Sequence, residues 1–222
     1  MKTFTLRTTL DDRSLASYVT RQVNRLFDDG QPVLEDDIRY LLQEALSRLE
    51  HCFIHIKNKY FFDGTSALFN HLHGDQYSMF LYFLCNTAYK AAAPRGLLEK
   101  LFLLNKSLHG IDVFYEVELP SIFLFVHPLG TVLGRGQYAD YFLVYQRCSV
   151  GSNHDVYPSL GPFTTLHPGS AILGDCILAG NTTLAAESLL LDRNLLSDTL
   201  YIGNPRDYLI SPVKQTPTIW RN

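Results

Sequence analysis

The side chains best suited to move protons or bind metals are eight histidines and four cysteines in a chain of 222 residues. Their spacing removes most options. His71 and His73 stand two apart, which could put two ligands on one strand face, but no third ligand accompanies them and no metal is expected. His51 and His55 lie one helical turn apart without a carboxylate motif and read as ordinary surface or core residues. His167 falls among turn residues and reads as solvated. Cys52, Cys85, Cys148 and Cys176 form neither a CxxC pair nor a zinc-finger spacing, so they read as reduced thiols. "GRG" at Gly134–Gly136 lacks the Lys-Ser/Thr pair and following helix of a phosphate loop. His127 is different. It heads "VHPLGTVLGRG" (Val126–Gly136), which is neither helical in pattern nor a simple alternating strand. Imidazole titrates near neutral pH and can act as a general base. A turn histidine has no role on its own account, so the element that carries it decides.

Composition bounds that element. The chain is 46% hydrophobic with a formal net charge of -3, enough for a sizeable core and without the basic field that nucleic acid requires. The N-terminal "MKTFTLRTTLDDRS" lacks the apolar core of a signal peptide. The most apolar stretch, "MFLYFLCNTAYKAAA", is too short and too interrupted to span a bilayer. A soluble cytoplasmic protein is expected.

The first half reads as four amphipathic helices: Leu10–Asp29, Leu34–Phe53, one starting after Asp75, and one starting near Pro94. After about Ser107 the pattern changes. From Leu160 the chain divides into sixes: LGPFTT, LHPGSA, ILGDCI, LAGNTT, LAAESL, LLDRNL. An aliphatic residue opens each block (Leu160, Leu166, Ile172, Leu178, Leu184, Leu190), and a small or polar one holds the fifth place (Thr164, Ser170, Cys176, Thr182, Ser188, Asn194). A period of six buries one face of neither a helix nor a plain strand; it signals a solenoid. The register continues less regularly upstream through Val150, Val144, Tyr138, Leu133, Phe125 and Leu119. The expected fold class is α+β: a helical domain over 1–108, a left-handed parallel β-helix over 109–203, and a tail over 204–222. A β-sandwich is the weaker alternative.

A helical half followed by a hexapeptide β-helix resembles the serine acetyltransferases of the hexapeptide acyltransferase superfamily. "GID" at Gly110–Asp112 is similar to the family's Gly-Val-Asp, and His127 falls fifteen residues after Asp112, as the family's catalytic histidine does. "VLG" at Val132–Gly134, "VYQRCSVGS" at Val144–Ser152, "ILGD" at Ile172–Asp175 and "IGNPRD" at Ile202–Asp207 also look like family segments. The resemblance implies an acetyl-CoA-dependent O-acetyltransferase with His127 as general base and Asp112 orienting its imidazole, the two lying one above the other if a coil takes fifteen to eighteen residues. It implies pantetheine contacts near Gly151, Gly169 and Gly180, a phosphate contact from Arg206, and a homotrimer or a dimer of trimers.

The chain departs from the family at the acceptor. Val126 stands where the family has an aspartate before the histidine, and Val156 and Tyr157 replace the Arg-His before the loop proline. His154 and Asp155 lie nearby and, with Tyr157, are the candidate acceptor contacts. Losing charged partners for a zwitterion matters, since each charge-assisted hydrogen bond contributes roughly 1.5–3 kcal/mol. Serine or a similar small hydroxyl compound, or a sugar hydroxyl, is the expected acceptor; a non-catalytic trimeric scaffold is the remaining alternative. The chain ends "PTIWRN" instead of the family's isoleucine, so the cysteine synthase complex is not expected.

Overall fold

The computed structural model describes residues 5–213 and 217–221. A short strand, β1 (Thr5–Thr8), precedes helices α1 (Asp12–Leu26) and α2 (Glu35–Phe53); then come β2 (Ser66–Phe69), α3 (Gly74–Lys90) and α4 (Arg95–His109). The four helices follow the apolar spacing of the sequence. Asp11 caps α1 by accepting the Ser14 N–H at 2.7 Å. Gly110, at φ +64°, ends α4 in the left-handed conformation that glycine adopts without strain. Helix α3 is buried on nearly every side from Gln76 to Ala88, because it packs between α2 and α4 and also against the first solenoid rungs. The parallel pair β1–β2 is not legible in the sequence: each strand has four residues and pairs across 61 positions.

The second half is a three-sided parallel solenoid. Its first face stacks β3 (Asp112–Val113), and above it β5 (Val132–Leu133), β8 (Ser149–Gly151), β11 (Ala171–Leu173) and β14 (Leu189–Leu191). The second face stacks β4 (Phe123–Phe125), β7 (Phe142–Val144), β10 (Thr165–Leu166), β13 (Thr183–Leu184) and β15 (Thr199–Asn204). The third holds β6 (Gln137–Tyr138), β9 (Ser159–Leu160) and β12 (Ile177–Leu178). Strand β16 (Asp207–Pro212) folds back antiparallel on β15, so the segment expected as a tail joins the second face.

The six-residue register is what builds this stack. Leu133, Val150, Ile172 and Leu190 register on the first face; Phe125, Val144, Leu166, Leu184 and Tyr201 on the second; Tyr138, Leu160 and Leu178 on the third. Each is buried except Tyr138, which is half-buried. Burying one such side chain contributes about 1.5–3 kcal/mol, and the repeat supplies many. Leu119 is buried but lies outside any strand: among the described residues the first coil has no rung on the third face. Of the small fifth-place residues, Thr164, Ser170, Cys176, Thr182 and Ser188 are buried, while Asn194 is exposed.

The C-terminus straps the two halves together. Lys57 donates to the Ile219 carbonyl at 2.6 Å, and Arg221 donates to the His55 carbonyl at 2.8 Å. Trp220 is buried edge-on against Tyr141, whose ring stacks on Phe163 at 4.3 Å.

Candidate active site

His127 sits at the edge where the second face turns into the first, between β4 and β5. At this edge the higher coils take six residues from one inward side chain to the next: Val144 to Val150, Leu166 to Ile172, Leu184 to Leu190. The lowest takes eight, from Phe125 to Leu133. Gly130, Arg147, Gly169 and Glu187 make the regular turn of each coil at positive φ. His127 adds a second positive φ, +50°, within the lengthened corner. The extra residues have no place in the stack, so the imidazole projects outward and its side chain is 78% exposed.

A carboxylate from the helical domain meets it. Asp75, in the first turn of α3, accepts the His127 backbone N–H on Oδ1 at 3.0 Å. Its Oδ2 lies 3.9 Å from His127 Nδ1. The Asp75 side chain is only 15% exposed, and burial raises its pKa above the usual carboxylate range, against the lowering pull of the His127 N–H and of the charges on His127 and His73. Among the described residues, no other carboxylate comes within ion-pair distance of the His127 imidazole. In the sequence Asp75 reads only as an acidic residue at a helix start, a common electrostatic preference that says nothing of a partner 52 positions away.

Asp112 is placed differently from the expectation. Its Oδ2 lies 2.6 Å from Lys106 Nζ on α4, and its backbone registers with Val132, not with His127. The physical reason is coil length: the first coil advances twenty residues from Asp112 to Val132, so a separation of fifteen does not place two residues one above the other.

The remaining expected residues occupy several edges. His154 and Asp155 stand exposed at positive φ in the loop between β8 and β9, where the first face turns into the third, with Tyr157 37% exposed beside them. This is a different edge from that of His127. Gly169 shares the His127 edge, Gly180 lies where the third face turns into the second, and Gly151 ends a first-face strand. The three glycines therefore line no single track on one chain. The space beside Gly169 is filled by the Glu187 carboxylate, which pairs with Arg147. Arg206 is exposed in the β15–β16 turn. Next to the His127 corner, Tyr145 and His167 follow each other up the edge, their rings nearly parallel at 5.4 Å. Among the described residues no cluster of His, Cys, Asp and Glu is arranged to hold a metal, and no helix is long and apolar enough to cross a membrane.

No protein-family model matches the chain, and no curated protein matches it. Solved structures do. The serine acetyltransferase of Neisseria gonorrhoeae superposes with a TM-score of 0.69 at 14% identity, covering 94% of this chain and 82% of that one. The serine acetyltransferase of Vibrio cholerae O1 gives 0.67 at 15% identity, with 93% and 83% covered. A serine acetyltransferase in complex with CoA gives 0.68 at 16% identity, with 89% and 85% covered. At such identity the likeness shows the fold: a helical domain leading into a hexapeptide-repeat left-handed β-helix.

Proposed function

We propose that this chain is an acyltransferase that moves an acetyl group from acetyl-CoA to a hydroxyl oxygen, with His127 as general base. The observation that carries this reading is the corner itself. The solenoid lengthens one turn by two residues relative to the coils above it, and the lengthened turn presents an exposed histidine pinned by a largely buried carboxylate. The fold is shared with a serine acetyltransferase solved with CoA bound.

In this chemistry the acceptor oxygen attacks the thioester carbonyl while the imidazole takes its proton. The C–S bond then breaks, and the imidazolium returns the proton to the departing thiolate. The chain's own contribution is the position of the base; an imidazole open to solvent is accessible to both substrates.

The candidate acceptor contacts His154, Asp155 and Tyr157 emerge from another edge of the prism than His127. A homotrimer would set one edge of each chain against a different edge of its neighbour and complete the site between them. We place the acceptor among small hydroxyl compounds, with serine the first choice. A sugar hydroxyl is the second reading, favoured by Val126, Val156 and Tyr157 in place of charged groups suited to a zwitterion. Purified protein incubated with acetyl-CoA and a panel of amino acids and sugars, with thiol release as readout, tests this. Release dependent on one class of acceptor supports the assignment. No release above hydrolysis with any acceptor overturns it in favour of a scaffold.

A further inference from the structure

We propose that Asp75, supplied by the helical domain, is the positioning carboxylate for His127, and that Asp112 is not. The inference rests on the reading of His127 as the base. Three observations carry it. First, Asp75 is the one carboxylate among the described residues within ion-pair distance of the imidazole, at 3.9 Å from Nδ1. Second, Asp112 is engaged elsewhere: Lys106 Nζ holds its Oδ2 at 2.6 Å. Third, Asp75 already fixes the backbone of the catalytic corner, since Oδ1 accepts the His127 N–H at 3.0 Å and leaves Oδ2 on the side of the ring.

The geometry is that of a residue waiting for its partner to turn. The imidazole is mostly exposed, whereas the Asp75 side chain is mostly buried and held in the first turn of a helix packed on both sides. Turning the ring toward Oδ2 is the motion that would close the 3.9 Å gap to hydrogen-bond distance. Oδ2 then accepts the Nδ1 proton, which selects the Nδ1–H tautomer, leaves Nε2 with its lone pair toward solvent, and stabilises the imidazolium once the acceptor proton has moved. The acid–base unit is thereby assembled across the junction of the two domains. The groups facing Asp75 are the backbone and ring of His127 and, on its own element, His73.

The test compares Asp75→Asn with Asp112→Asn by nitrogen-15 spectroscopy of the imidazole and by steady-state kinetics. Asparagine can still accept the His127 N–H, so the corner keeps its shape; should Asp75→Asn fail to fold, Asp75→Glu replaces it and is expected to keep the tautomer preference. Asp75→Asn should abolish the Nδ1–H preference and lower kcat by about tenfold or more, with acceptor KM within threefold of wild type. Asp112→Asn should leave the tautomer spectrum as in wild type. An unchanged spectrum in Asp75→Asn, or the loss appearing in Asp112→Asn instead, would overturn the proposal. So would a rise in acceptor KM alone, which would make Asp75 an acceptor contact. The tautomer readout needs no acceptor, so it decides the role of Asp75 even if His127→Ala proves fully active and the reading of the base fails.

Discussion

Asp75 and His127 lie 52 residues apart in the chain, one on α3 and one at a corner of the solenoid, and share a 3.0 Å hydrogen bond. The carboxylate in that bond is held in a desolvated place, which raises its pKa. The sign follows from linkage. With the native pKa raised, the folded protein binds the proton more tightly than the unfolded chain does. This group's contribution to stability therefore falls as pH rises from the ordinary carboxylate pKa through the raised one, and stays low above it. Asp75→Asn removes that penalty while keeping an acceptor for the His127 N–H. Urea unfolding should show Asp75→Asn equal to wild type near pH 4 and equal or more stable at pH 7. A variant less stable than wild type by more than about 1 kcal/mol at pH 7 would mean that the charge stabilises the fold.

The solenoid makes its own demand at Gly161. A Cβ built there would lie 2.3 Å from the Ala179 carbonyl oxygen and 2.5 Å from that of Leu178, both backbone atoms of the coil above. Gly161→Ala should destabilise by about 1–3 kcal/mol or more, because a backbone cannot yield as a side chain does. Gly96, in the first turn of α4, meets nothing within 4 Å, so the same substitution there should stabilise by up to about 1 kcal/mol. Thermal denaturation of the two variants checks both signs. Two shifts in the same direction would contradict the close packing at the coil.

The sequence reveals the solenoid because its order is one-dimensional. Leu160, Leu166, Ile172, Leu178, Leu184 and Leu190 all point inward, and a fixed period needs no knowledge of distant partners. The helices are legible for a similar local reason. The site is only half legible. His127 stands out from its glycine-rich corner, but Asp75 reaches it through tertiary packing that no local pattern encodes. The fifteen-residue spacing of Asp112 and His127 does not stack the two, because coil length varies: the register steps are twenty residues from Asp112 to Val132, seventeen from there to Ser149 and twenty-two from there to Ala171. Loops inserted at edges leave the inward register intact while shifting every count between edges.

His109, at the end of α4, makes the fold sensitive to acid. Burial lowers its pKa to about 4, with only the hydrogen-bonding contact to Asn105 opposing. A lowered native pKa means that the unfolded chain binds the proton first. Stability is full above the ordinary histidine pKa and falls as pH drops from about 6.5 toward 4. The loss attributable to this group is at most about 3 kcal/mol. His109→Gln should flatten the stability profile between pH 6.5 and pH 4, read from urea midpoints. An unchanged slope would show that His109 gains a proton without penalty in the native state.

The base is tested most directly by one substitution read two ways. His127→Ala should cut thiol release from acetyl-CoA, on whichever acceptor wild type uses, by about two to four orders of magnitude. Its affinity for coenzyme A by calorimetry should stay within threefold of wild type, since the donor does not need the base in order to bind. Turnover within threefold of wild type would contradict the assignment of His127 and leave the likeness to serine acetyltransferases as one of fold alone.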